Sequence, residues 1–218
     1  MNRIVITSDG SHTICVTGLN EHYHSIHGAV QESEFIFIKN GFDTYGSGTV
    51  RILEIGFGTG LNALLTARRT LTQTKKVFYT SLEKYPLGPE IIHKLNHHTF
   101  AGSRGKELFE KIHSSEWGMM TDLLPRFSLL KIKGDLVSAE IHGEYDLIYF
   151  DAFGPDKQPE MWTGNIIKKI SGVTKPGGLF ITYSSKGEVR RLLNESGFSA
   201  TLVPGPPGKR HIIRAIKN

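Results

Sequence analysis

A single cysteine, Cys15, stands among the 218 residues, so the chain has no internal disulfide and no cysteine framework for a structural metal. A reducing, cytoplasmic setting is therefore expected. Long apolar runs are missing too: Met1 to Val16 alternate polar and apolar residues around Asp9-Gly10, unlike a signal peptide or membrane helix, and no membrane association is expected. Internal repeats, low-complexity tracts and long Pro/Gly/Ser linkers are absent. His22, His24 and His27 crowd together, but their spacing fits neither a helical HExxH pair nor a zinc finger, so no metal is expected. His97-His98 reads as an exposed helix end, and Lys75-Lys76 as a solvated pair.

What is present suits one globular domain: 39% of residues are hydrophobic and 22% charged, enough for a full core. The net charge of +5 is unevenly spread, with 11 Lys/Arg and 3 Asp/Glu from Lys157 onward (+8) against 15 and 18 before it (−3). A basic C-terminal third attracts a polyanion, because neutralising phosphates releases condensed counterions; a solvated lysine-rich face has the same composition.

Patterning divides the chain near residue 50. Residues 1–49 open with two β-branched runs, Arg3–Thr7 and His12–Thr17, flanking Asp9-Gly10; this predicts a hairpin in a small β addition that caps a pocket. Residues 50–218 alternate apolar strands with helix-length segments, the signature of βαβ units and a mainly parallel sheet. Strands are predicted at 50–55, 77–82, 129–132, 145–150, 179–183, 200–203 and 212–216, and helices at 61–70, 88–97, 105–113, 117–124, 165–173 and 186–196. The last two strands leave no room for a crossover helix, so one of them returns as a reversed hairpin strand.

The chemistry concentrates at predicted strand ends. Glu54-Ile55-Gly56-Phe57-Gly58-Thr59-Gly60-Leu61-Asn62 joins a strand to a helix, where open sheets bind cofactors and glycines admit sharp turns and close approach. A dinucleotide site needs G-x-G-x-x-G to seat a pyrophosphate. Here the spacing is G-x-G-x-G, and the carboxylate of Glu54 would repel phosphate but suit an ammonium and sulfonium. Glu83 ends the next strand, where a carboxylate can accept both ribose hydroxyls of a nucleoside. Asp135 follows the third, and either acid could instead be a helix cap or an exposed turn residue. Asp151 ends the fourth, poised to orient an amine and accept its proton. Phe153 and Pro155 offer flat surfaces for an extruded base, while packing is an equal reading for Phe153 and the favoured one for Trp162.

The acidic residue before G-x-G-x-G resembles motif I of class I methyltransferases, Rossmann-like α/β enzymes that use S-adenosylmethionine and resemble one another in placing an Asp, here Asp135, on the adenine amino group. Four segments together resemble the methyltransferase-domain family of MnmC, a bacterial tRNA wobble-uridine modification enzyme. They are Tyr23-His24-Ser25 with Gly28 to Ser33, Leu53 to Asn62, Phe150-Asp151-Ala152-Phe153-Gly154-Pro155-Asp156-Lys157-Gln158-Pro159-Glu160-Met161-Trp162, and Pro206 to His211. The resemblance implies methylation of the amine of 5-aminomethyl-2-thiouridine in tRNA. It implies a cofactor site of Tyr23, Ser25, Glu54, Gly56, Gly58, Gly60, Asn62, Glu83, Asp135 and Asp151, with Asp151 catalytic. Phe153, Pro155, Lys157, Lys209 and Arg210 would meet the substrate. Fused family members continue into a flavin-dependent oxidase domain; no second dinucleotide fingerprint occurs here, so no flavin is expected, and another enzyme would supply the aminomethyl precursor.

Three other functions share these features. An aminopropyltransferase or small-molecule amine methyltransferase would need a pocket with several carboxylates, whereas the stretch after Asp151 carries only Asp156 and Glu160. A non-catalytic RNA-binding module has no physical need for three successive acids at strand ends. A nicotinamide-dependent oxidoreductase is disfavoured by the glycine spacing.

Overall fold

The computed structural model describes residues 2–218. The chain opens with β1 (Asn2–Ile6), β2 (His12–Val16) and the two-residue β3 (Glu21–His22), a three-stranded antiparallel sheet in the order β1-β2-β3. The hairpin expected around Asp9-Gly10 is there, with Gly10 at φ +82°. Helix α1 (Ala29–Ser33) follows and runs into a π-helical turn at Glu34–Lys39, which the sequence reading passed over.

An eight-stranded sheet forms the body. Its elements are β4 (Thr49–Ile55), α2 (Leu61–Thr70), β5 (Lys76–Glu83), α3 (Pro89–Ile92), α4 (Gly105–Ser114), β6 (Thr121–Leu124), β7 (Phe127–Lys133), β8 (Tyr145–Phe150), α5 (Gly164–Gly172), β9 (Thr174–Thr182), α6 (Gly187–Glu195), β10 (Phe198–Pro204) and β11 (His211–Lys217). The strand order is β10-β11-β9-β8-β4-β5-β7-β6. The five central strands pair in parallel, and β11 pairs antiparallel with both β9 and β10. This is the expected Rossmann-like α/β sheet with a reversed hairpin strand. The order reverses beside β4, so the ends of β4, β5 and β8 open together onto one crevice.

The central strands are apolar on both faces because helices cover both sides. One buried cluster joins Ile52, Ala63, Leu64, Tyr79 and Leu147 with Ile14, Ile36, Phe37 and Phe42 from residues 1–49; the other holds Leu53, Ile148, Phe150, Trp162, Ile167 and Phe180. Trp162 is a core residue, its indole 4.8 Å from Phe150.

Four local expectations fail for identifiable reasons. The helix expected at 117–124 is instead the edge strand β6: Gly118 sits at φ +82° and donates to the Lys131 carbonyl at 2.7 Å, and the Leu124↔Phe127 register turns tightly at Pro125-Arg126. The helix expected at 88–97 stops at Ile92. Asn96 turns its side chain to the N-terminal hairpin, accepting from His12 N–H at 2.8 Å and donating to Gly10 O at 2.9 Å, an alternative to helix continuation. His97 is fully buried, not exposed, packed beside the rings of His24 and Phe109. Lys75 is buried too, donating to the Phe42 carbonyl at 2.8 Å above the Phe42 ring.

Candidate functional site

The crevice at the sheet's carboxyl edge has a volume of about 620 Å³, large enough for a nucleoside cofactor and part of a substrate. Among the expected site residues it is lined by Tyr23, Ser25, Gly56, Gly58, Asn62, Glu83, Asp135, Asp151, Phe153, Pro155 and Lys209. Glu54, Gly60, Lys157 and Arg210 lie outside the lining. Glu54 is wholly buried beneath it, and Arg210 is exposed beyond it. The Lys157 ammonium is taken by the carbonyls of Leu19 at 2.8 Å and Asn20 at 3.3 Å.

The glycine bend is shaped first by protein neighbours. A Cβ on Gly56 (φ +92°) would stand 2.8 Å from the Asp151 carbonyl oxygen, and one on Gly58 (φ +50°) 3.0 Å from the Tyr23 ring. These residues let the β4–α2 turn nest against the β8 loop and the Tyr23 segment, a role beyond the ligand approach expected from sequence. Gly60 faces His113 and Phe57 instead of the crevice. His24, which lines the crevice, pins the bend from the N-terminal side through Nε2 to Thr59 Oγ1 at 2.7 Å. Burial depresses the His24 pKa to about 4, so the ring is neutral at pH 7.

Each acid has a distinct setting. Glu54 accepts from Ser81 Oγ at 2.6 Å, while its Oε1 is buried with no hydrogen-bond partner. Burial pushes its pKa up to about 8. Glu83 accepts from Gly58 N–H at 3.0 Å and Tyr85 N–H at 2.8 Å, tying the glycine bend to the end of β5. Asp135 pairs with Lys84 at 2.8 Å and accepts from Val137 N–H at 3.0 Å; the Lys84 hydrogen bond lowers its pKa. Asp151 accepts from Asn62 Nδ2 at 2.8 Å. Burial, then the charges of Glu54 and Glu32, hold its pKa well above the usual carboxylate range, with Asn62 and Lys209 opposing.

Aromatic groups surround Asp151. Phe153 meets Tyr23 edge-on at 5.1 Å, and Tyr183 donates its hydroxyl to the Ala152 carbonyl at 2.9 Å. Burial and then Glu83 push the Tyr23 phenol up to about 12, so it stays a hydrogen-bond donor at neutral pH. Glu32, Tyr183, Lys84 and Lys186 line the site without having been singled out in the sequence. Glu32 falls inside the Gly28 to Ser33 segment but was given no role there, and the others come from a strand end and loops.

The crevice is also more acidic than the sequence reading expected. It is lined by Glu21, Glu32, Glu83, Asp135, Asp151, Asp156 and Glu160, seven carboxylates against the three lysines Lys84, Lys186 and Lys209, a balance of −4. Each of those lysines is itself paired to a lining acid. The stretch after Asp151 understated this count because Glu21, Glu32, Glu83 and Asp135 arrive from elsewhere in the chain. Such a field favours cationic ligands. Two buried acids, Glu54 and Asp151, whose ionised forms lack sufficient partners, fit the positive ends of S-adenosylmethionine. Among the described residues no group of three or more His, Cys, Asp or Glu could hold a metal ion, and no helix is long and apolar enough to cross a membrane.

Comparison with known proteins agrees with this geometry. A family described as S-adenosyl-L-methionine-dependent methyltransferase matches residues 126–218. The crystal structure of MnmC2 from Aquifex aeolicus superposes with a TM-score of 0.77 at 26% identity, covering 100% of this chain and 70% of that one. Spermidine synthase from Thermotoga maritima shares the fold alone, with a TM-score of 0.59 at 13% identity over 99% of this chain and 68% of that one. Fold, crevice and family match define an S-adenosylmethionine-dependent methyltransferase of class I. In sequence, the chain is 33% identical over 212 residues to the tRNA 5-methylaminomethyl-2-thiouridine biosynthesis bifunctional protein MnmC of Leptospira interrogans, which covers 88% of this chain but 32% of that protein. The chain thus spans about a third of the length of the curated relatives it matches. Over that third it is similar to the MnmC proteins.

Proposed function

We propose that this protein transfers a methyl group from S-adenosylmethionine to the exocyclic amine of 5-aminomethyl-2-thiouridine at the tRNA wobble position. The observation that carries the reading is the Asp151 carboxylate, held by Asn62 at the end of β8 in a net-acidic crevice beside Phe153 and Tyr183. The relatives' name, which includes tRNA 5-methylaminomethyl-2-thiouridine biosynthesis, supplies the substrate class.

Bound in the crevice, S-adenosylmethionine supplies an electrophilic methyl carbon. Glu83 has lone pairs free for ribose hydroxyls beyond its two backbone bonds, and Asp135 would accept from the adenine amino group. Tyr23, Ser25, Asn62 and the glycine bend hold the amino-acid end, with Glu54 acting on it from beneath the crevice floor. Asp151 orients the substrate nitrogen and takes its proton, leaving the lone pair aimed at the methyl carbon. Phe153 and Pro155 flank the base. Phosphates stay outside this acidic crevice, on Arg210 and the basic C-terminal third, with Lys209 at the boundary between the two. Residues 1–49 then serve as a cap on the 50–218 catalytic unit. A cytoplasmic location suits a tRNA substrate, and a separate enzyme would deliver the aminomethyl precursor.

The acidic lining favours a second reading, a small polyamine-like acceptor. Incubation with S-adenosylmethionine and either tRNA bearing the aminomethyl nucleoside or putrescine separates them. Methylation of the tRNA alone is expected; turnover of putrescine alone would overturn the tRNA assignment.

A further inference from the structure

Glu32, on α1, lines the crevice and has a divided environment. Its Oε2 accepts from Ser25 N–H at 2.9 Å, which fixes the side chain. Its Oε1 is buried with no hydrogen-bond partner, and Lys209 Nζ stands 3.4 Å away. Both side chains are largely covered, Glu32 at 12% and Lys209 at 29% exposure. A carboxylate oxygen removed from water without a hydrogen bond is costly, and a cation at ion-pair distance only partly offsets that cost.

Lys209 is a primary ammonium, the same chemical group as the proposed substrate amine. It sits 4.8 Å above the Tyr183 ring, and the Glu32 and Lys209 charges both reach Asp151, with opposite sign. Its place in the crevice is thus one that an incoming ammonium would find equally favourable. The Glu32 helix is held firmly. Asp9 Oδ2 accepts from Gln31 N–H at 2.9 Å, and Ser11 Oγ accepts from Ala29 N–H at 3.1 Å. Lys209, by contrast, is carried by a long flexible stem on the loop between β10 and β11, next to exposed Arg210. The fixed acid and the mobile cation suggest an exchange.

We infer that Glu32 is a second carboxylate of the amine-binding site, and that Lys209 holds its place in the free protein and yields it to the substrate ammonium while moving to a backbone phosphate. This rests on the amine-on-tRNA reading given above. Glu32 would bind the amine, and Asp151 would direct its lone pair. Lys209 would report that RNA has arrived, so the amine site opens fully only for an amine carried on a nucleic acid.

The test compares wild type, Glu32→Gln and Lys209→Met on aminomethyl-bearing tRNA and on the free nucleoside 5-aminomethyl-2-thiouridine, with S-adenosylhomocysteine calorimetry on each. Gln preserves the acceptor for Ser25 and the side-chain shape. Loss of a charge-assisted hydrogen bond is expected to raise KM for the tRNA by roughly 10- to 100-fold with kcat changed far less and S-adenosylhomocysteine affinity within about twofold. Lys209→Met is expected to move the two substrates in opposite directions, weakening binding of tRNA and strengthening that of the nucleoside, which no longer competes with an internal ammonium. An unchanged KM in Glu32→Gln, a parallel loss of S-adenosylhomocysteine binding, or shifts of the same sign for both substrates in Lys209→Met would each overturn the inference alone. Absence of tRNA methylation by the wild type would bring down the underlying reading and the inference with it.

Discussion

Asp151 and Glu54 show how one residue type takes different work from its surroundings. Asp151 touches the crevice, so Asp151→Asn should lower kcat by on the order of 10²–10⁴ while S-adenosylhomocysteine affinity, read by calorimetry, moves only a few-fold. Glu54 lies beneath the crevice and, with a folded pKa raised to about 8 from 4.5, is protonated at neutral pH in the free protein. Below pH 4.5 its contribution to stability is fully present; as pH rises toward 8, the unfolded chain has released a proton that the fold retains, and stability falls. Glu54→Gln should flatten that decline in thermal midpoint between pH 4.5 and 8. A cationic cofactor favours the ionised form, so S-adenosylmethionine should bind with proton release, measurable as a buffer-dependent calorimetric heat. The histidines work in the opposite sense. With His24 and His113 both lowered to about 4 by burial, their contribution is present above pH 6.5 and is lost as pH falls through 4. His24→Gln should soften this acid loss, and because it alters the hydrogen bond to Thr59 it should also weaken S-adenosylhomocysteine binding by about 10-fold.

At the scale of elements, legibility followed locality. The parallel strands were readable because both faces are buried, which leaves continuous apolar runs such as Leu147-Ile148-Tyr149-Phe150, and α2 was readable from its glycine start and apolar residues. The segments that misled are ones where a single side chain or turn settles the matter at a distance. Asn96 ends a helix by reaching residues some 84 positions away, and Gly118 with the Pro125-Arg126 turn converts an expected helix into an edge strand. Asn96→Ala removes two hydrogen bonds to the hairpin and should cost about 1–3 kcal/mol in denaturant unfolding. The acids at strand ends were legible for the same reason as the strands. Glu32 and Tyr183 were not, because their importance depends on which distant loops share the crevice.

The whole molecule separates two electrostatic tasks. The crevice carries a formal balance of −4, while the chain from Lys157 onward carries +8, with Glu160, Lys186 and Lys209 counted in both; under the proposed function an amine would be drawn inward and a phosphate backbone held outside. Arg210 is exposed outside the crevice. Arg210→Ala should weaken tRNA binding and reduce the slope of log affinity against log salt by about one unit, as measured by filter binding across salt concentrations, without changing S-adenosylhomocysteine affinity.

The space that a side chain on Gly56 would need is filled by the carbonyl of Asp151. Under the proposed function, the bend that would grip the methyl donor and the corner that would steer the acceptor are therefore cast as one piece, and neither can be remodelled alone. An engineer seeking a bulkier donor analogue would have to rebuild both walls at once, since room opened at the first is taken from the alignment at the second.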